Sequence, residues 1–243
     1  MRADAVAARL AGARRVTVLT GAGVSAASGV PTFRGQGGLW RQFRAEDLAT
    51  PAAFGRDPAL VWEWYDWRRS LVADCEPNRA HHVLAAWSHR LTAFELVTQN
   101  VDGLHERAGT ANLTRLHGSI WTLRCRDGCG AAPWQDVSVP LSPLPPLCPL
   151  CGGLARPGVV WFGEALDPRD LARAERACRC DVFMVVGTSA LVHPAAGLSQ
   201  VARSQGAFLV EINPEATPVT DLVDVSLRGP AETVLGDLDE RIH

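Results

Sequence analysis

Short apolar runs recur along the chain, each ending in small or polar residues. Arg15–Thr20 (RVTVLT) leads into Gly21-Ala22-Gly23, and Ala93–Thr98 (AFELVT) leads into Gln99-Asn100. Asp181–Val186 (DVFMVV) precedes Gly187-Thr188-Ser189, and Ala207–Ile212 (AFLVEI) precedes Asn213. Runs this short, with consecutive apolar positions, predict strands buried on both faces. Between them, segments such as Arg79–Arg90 and Pro168–Ala177 carry apolar residues at helical spacing. Strands alternating with helices predict an α/β fold built on a doubly wound parallel sheet. Ligands of such sheets lie beyond the carboxyl ends of the strands, where this chain collects its small and polar residues.

Two stretches break the alternation. Residues 33–75 open on Gly35 to Gly38 and continue into the Trp-rich ALVWEWYDWRRSLV at 59–72. Residues 120–158 hold two close cysteine pairs and a proline-rich middle with Pro140, Pro143, Pro145, Pro146 and Pro149. Both read as parts of a smaller lobe, a helical insertion at 33–75 and a cysteine module at 120–158. The large lobe then comprises 1–32, 76–119 and 159–243, within a single domain of 243 residues.

Composition narrows the chemistry. All 24 basic residues are arginine, and against 26 acids they leave a net charge of -2 with no basic stripe, so nucleic acid is not an expected partner. No apolar run reaches the roughly 18 residues of a membrane helix. The N-terminal MRADAVAARLAGARR scatters charge where a secretory signal would be apolar, which points to a reducing, cytoplasmic setting. There, Cys125-x3-Cys129 and Cys148-x2-Cys151, 18 residues apart, read as a structural Cys₄ zinc site and not as disulfides. The longer first spacing calls for a wide turn at Gly128.

Gly21-Ala22-Gly23-Val24-Ser25-Ala26 fits G-x-G-x-x-A after a strand, a turn whose amides and following helix could meet a pyrophosphate. A dinucleotide dehydrogenase would place a second strand and an acid about 20 residues on. Pro31-Thr32-Phe33-Arg34-Gly35 breaks that unit, so hydride transfer is disfavoured.

GAGVSAASGVPTFRG (21–35), QNVDGLHERAG (99–109), LHGS (116–119), the two cysteine pairs, VVWFGE (159–164), GTSALVHPA (187–195) and EIN (211–213) occur together and in this order. The combination resembles the sirtuins, NAD-dependent protein-lysine deacylases, across essentially the whole chain. The resemblance implies a Rossmann-like large lobe, NAD as cofactor and one structural zinc ion. It implies acyl-lysine proteins or peptides as partners, with nicotinamide, O-acyl-ADP-ribose and free lysine as products. It singles out His117 as catalytic base, where chemistry alone leaves His81, His82, His89, His105, His193 and His243 in competition. It places Gly21, Ala22, Gly23 and Ser25 at the cofactor, Phe33 and Arg34 in a loop over it, and Gln99, Asn100 and Asp102 around nicotinamide and ribose. Gly187, Thr188 and Ser189 would meet phosphate and ribose, Asn213 the adenosine ribose, and Ala231 the adenine edge. Ala27 departs from the family's usual Glu.

Tyr65 and Arg68, at i and i+3, share a helix face. Tyr-x-x-Arg at this place resembles class III sirtuins, which remove succinyl, malonyl or glutaryl groups, and Ala49 matches the small residue that widens their pocket. Val160, Trp161, Phe162 and Gly163 resemble the strand that pairs with the substrate peptide. ADP-ribosyl transfer to protein, and a non-enzymatic zinc-ribbon adaptor, are the competing readings. Oligomeric state is not legible in the chain.

Overall fold

The computed structural model describes residues 2–31, 39–40 and 43–242. The apolar runs assemble into a six-stranded sheet ordered Val225–Arg228, Phe208–Asn213, Val182–Val186, Arg15–Thr20, Ala93–Thr98 and Leu113–Arg115. Every neighbouring pair is parallel. From Arg15–Thr20 the chain first winds outward through Ala93–Thr98 to Leu113–Arg115. It then returns to start the other half at Val182–Val186, so the order reverses between these two central strands. That reversal opens a crevice beyond Thr20 and Val186, the place where doubly wound sheets take their ligands.

Alternation along the strands divides the core. Val16, Val18, Val182, Met184 and Val186 pack with Trp87 and Leu235 on one face, under the helices Arg2–Gly12, Arg79–Arg90 and Ala231–Ile242. Leu19, Phe183, Val185 and Leu209 pack on the other face, under Pro168–Ala177 and Leu198–Ser204. Both faces being covered explains why the central strands read as uninterrupted apolar runs.

A third cluster joins the helices Pro51–Arg56 and Pro58–Ala73 to an antiparallel sheet of Trp134–Gln135, Gly118–Cys125 and Ala155–Val159. Thr50 and Asp57 cap the two helices by accepting from Ala53 N and Leu60 N, and a proline occupies the first turn of each. Trp62 donates its indole N–H to the Ala155 carbonyl at 2.9 Å. The fully buried Arg69 donates to the carbonyls of Ile120, Asp136 and Ser138. Burying a guanidinium is costly unless it is hydrogen-bonded, and here the bonds from both Nη groups fasten the long helix to the cysteine-bearing segment. Among the described residues no helix is long and apolar enough to cross a membrane.

Candidate active site and metal centre

A cavity of about 600 Å³ opens at the carboxyl ends of the central strands and runs to the third cluster. Gly21, Ala22, Gly23, Gln99, Asn100, His117, Gly187, Thr188, Ser189 and Asn213 line it. So do Ala49, Tyr65, Arg68, Val160, Trp161, Phe162 and Gly163. Ser25 and Asp102 do not reach it but are buried behind its floor, and Ala231 is buried at the start of the last helix. Phe33, Arg34 and the Gly35 to Gly38 run lie outside the described residues. Glu46, His193 and Glu215 also line the cavity, though sequence reasoning did not select them.

The glycine turn departs from its expected form. After Thr20 the chain makes only two short 3₁₀ turns, Ala22–Val24 and Ala26–Ser28, in place of a helix. The amides of Gly21 and Gly23 are taken up by the carbonyls of Val186 and Gly187, at 3.2 and 2.8 Å. A Cβ on Gly23 would lie 2.7 Å from the Gly187 oxygen, and one on Gly187, at φ +59°, would lie 2.5 Å from the Val24 nitrogen. These glycines let two strand-end turns meet backbone to backbone across the crevice.

Below the floor a chain of polar groups runs from a helix start to a carboxylate. Asn78 N–H donates to His81 Nδ1 at 3.2 Å, which leaves the hydrogen on Nε2, 3.3 Å from Ser25 Oγ. Ser25 donates to Asp102 Oδ2 at 2.7 Å and accepts from Asn100 Nδ2 at 3.2 Å. Asn100 donates as well to the Gly21 carbonyl at 3.1 Å, so the network braces the glycine turn. Burial drops His81 to about 4, with His82 adding a smaller push, so it is neutral near pH 7. Burial raises the Asp102 carboxyl, opposed by the Leu104 amide and the Ser25 hydroxyl.

His117 follows the Leu113–Arg115 edge strand and immediately precedes Gly118, which begins the strand that ends at Cys125. Its Nδ1 lies 3.0 Å from the Gln99 carbonyl oxygen. A carbonyl can only accept, so the hydrogen sits on Nδ1 and Nε2 keeps the lone pair. Burial lowers the His117 pKa, with the Gln99 contact opposing. Tyr65 Oη accepts from Trp161 Nε1 at 3.0 Å, and the Arg68 guanidinium lies 5.0 Å from the Trp64 ring centre. Burial pushes the Tyr65 phenol up to about 12, so it keeps its hydrogen. Val160–Gly163 continues beyond the strand Ala155–Val159 as an extended step and a turn, not as the expected strand. Its Phe162 amide donates to the Ala49 carbonyl at 2.9 Å.

At the far end of that antiparallel sheet, Cys125, Cys129, Cys148 and Cys151 bring their sulfurs within 4.8 Å of one another. Cys125 and Cys151 are 3.7 Å apart, Cys129 and Cys148 3.6 Å. A tetrahedron with Zn–S of about 2.3 Å has edges of ~3.8 Å, so the spacing fits one closed, structural Zn²⁺. Gly128 takes φ +62° in the longer turn, and a knuckle of Cys148 N–H to Gly153 O and Gly152 N–H to Cys148 O shapes the shorter one.

These features define a nucleotide-binding α/β protein with a structural metal module. Residues 21–194 match the model of the Sir2 family. A relative from Aquifex aeolicus, an NAD-dependent protein deacylase, is 52% identical over 221 residues, 90% of this chain and 92% of its own. Another of that name, from Thermus thermophilus, is 51% identical over 90% of this chain and 87% of its own. A solved Sir2 homologue–NAD complex superposes with a TM-score of 0.93 at 46% identity, covering 98% of this chain and 93% of that one. A Sir2–p53 peptide–NAD+ complex gives 0.88 at 28% identity, covering 99% and 98%. The chain belongs to the Sir2 family.

Proposed function

We propose that this chain is an NAD-dependent protein-lysine deacylase that prefers succinyl, malonyl or glutaryl groups to acetyl. Its relatives' activity and the NAD and peptide complexes of its structural neighbours support the deacylase reading. The preference rests on one observation: Tyr65 and Arg68 line the same cavity as His117. The protonated Tyr65 accepts from Trp161 and has its own hydrogen left to donate. A guanidinium beside it matches a carboxylate's two oxygens. The chain carries no lysine, so no side-chain amine of its own can bear the substrate's modification.

NAD, when bound, would supply an electrophilic ribose carbon for the acyl oxygen, with nicotinamide as the leaving group. Gly21, Ala22, Gly23, Thr188, Ser189 and Asn213, which line the cavity, would hold the nucleotide, with Gln99 and Asn100 at its reactive end. Ser25 and Asp102 act from behind, by bracing Asn100 and the glycine turn. His117 takes a proton from a ribose hydroxyl at Nε2. Val160–Gly163 offers main-chain groups to an extended peptide, which recognises backbone more than sequence.

The test is a panel of succinyl-, malonyl-, glutaryl- and acetyl-lysine peptides with NAD, the products being weighed. O-acyl-ADP-ribose, formed fastest from the acidic peptides, is the expected result. ADP-ribosylated protein, or an untouched mixture, would overturn the reading. A second prediction concerns pH. Because the folded environment lowers the His117 pKa, the neutral base persists to more acid solution, and the acid limb of kcat/KM is expected below the usual histidine value of 6.5. A limb at or above that value would count against His117 as the base.

A further inference from the structure

Glu211 lies in the middle of the strand Phe208–Asn213, fully buried, on the apolar face that also carries Leu209. A carboxylate there is costly unless donors surround it. They do. Thr217 Oγ1 donates to one carboxylate oxygen at 2.6 Å, and Thr220 Oγ1 and Ser226 Oγ donate to the other at 2.8 Å each. Arg228 Nη1 stands 3.0 Å from that second oxygen.

The partners are not distributed at random. Thr217 and Thr220 belong to the segment 214–222, which contains neither helix nor strand. Glu215, Ala216, Thr217 and Pro218 of this segment line the cavity next to Asn213. Arg228 itself fixes this segment at two points, donating to the Glu215 carbonyl at 2.6 Å and to Thr220 Oγ1 at 3.1 Å. Asn213 Nδ2 donates to that Glu215 carbonyl at 3.0 Å. Lacking a ladder of its own, the cavity wall is held by side-chain contacts, with Glu211 anchoring Thr217 and Thr220 and with Arg228 and Asn213 holding the Glu215 carbonyl.

We infer that Glu211 is a positioning residue for the cofactor, acting through Thr217 and Thr220 to hold the wall that receives the adenosine ribose beside Asn213. The inference rests on the reading of this cavity as the NAD site. Glu211 touches no reacting atom, so it governs nucleotide affinity and leaves the acyl-transfer step alone.

The test compares Glu211→Gln, Thr220→Val and Ser226→Ala by calorimetry with ADP-ribose, by steady-state kinetics and by thermal unfolding. Glu211→Gln is expected to weaken ADP-ribose and raise KM for NAD about tenfold, with kcat at saturating NAD and KM for peptide within about twofold. Thr220→Val should do the same by roughly threefold. Ser226→Ala removes a donor to the same carboxylate from outside the wall, so it should lower the melting temperature and leave NAD affinity unchanged. A merely structural Glu211 would make affinity losses in all three variants track their melting temperatures, which would overturn the inference. Unchanged ADP-ribose binding in Glu211→Gln would overturn it too. Wild-type protein that ignored ADP-ribose would overturn the cofactor reading and this inference together, so the two failures are separable.

Discussion

Arg68→Met should lower kcat/KM for succinyl-lysine peptides by roughly a hundredfold, about 2.7 kcal/mol, while acetyl-lysine changes by less than about threefold. Methionine keeps much of the aliphatic stem that packs in the helix Pro58–Ala73, so lost charge dominates over lost volume. Burial lowers the Arg68 pKa, with Tyr65 and Asp102 opposing, so the cation stands where water screens it poorly. There a substrate carboxylate is worth far more to it than in bulk solvent. An acetyl group brings no such charge and has little to lose. Equal loss on both substrates would make Arg68 a structural residue and sink the acidic preference.

Cys148→Ser should take bound zinc from one per chain to almost none and lower the melting temperature by more than about 10 °C, given that structural zinc contributes folding energy outright. Activity should fall with it, and the route is visible. Cys125 ends the strand that begins at Gly118, next to His117, and Gly118 pairs with Val159, next to Val160. Val160 N–H in turn donates to the His117 carbonyl at 3.0 Å. Freeing the metal end of this sheet loosens the ribbon that carries His117 and the turn at Val160–Gly163. Elemental analysis showing full zinc retention in Cys148→Ser would remove that cysteine from the ligand set.

The elements that the chain displays most openly are those whose periodicity is undiluted. Arg79–Arg90 and Pro168–Ala177 fold over the residues that their spacing marks, and the strand ends at Thr20 and Thr98 fall where polarity changes. Leu113–Arg115 is different. Its three residues, one of them arginine, form a strand only because Leu96–Thr98 lies alongside. The metal site was readable because spacing alone nearly determines it. In the cavity, motifs named the residues but not their depth: Ser25 and Asp102 belong to the brace beneath, which depends on contacts across 77 positions of chain. The glycine pattern suggested a helix and free amides, whereas the facing turn at Gly187 claims those amides first. Glu215 stands two residues past a strand end, the same signal that selected Asn213, and could have been found by following that signal further.

The seam between Gly23 and Gly187 has an evolutionary and practical consequence. No side chain separates the two turns, so a substitution on one cannot be answered by repacking the other. Saturation mutagenesis should find these positions nearly invariant in functional clones, whatever acyl group is selected. Reshaping of the cavity therefore has to proceed through the side-chain-bearing loops at 188–194 and 214–218, where the wall can change shape without parting the halves of the sheet.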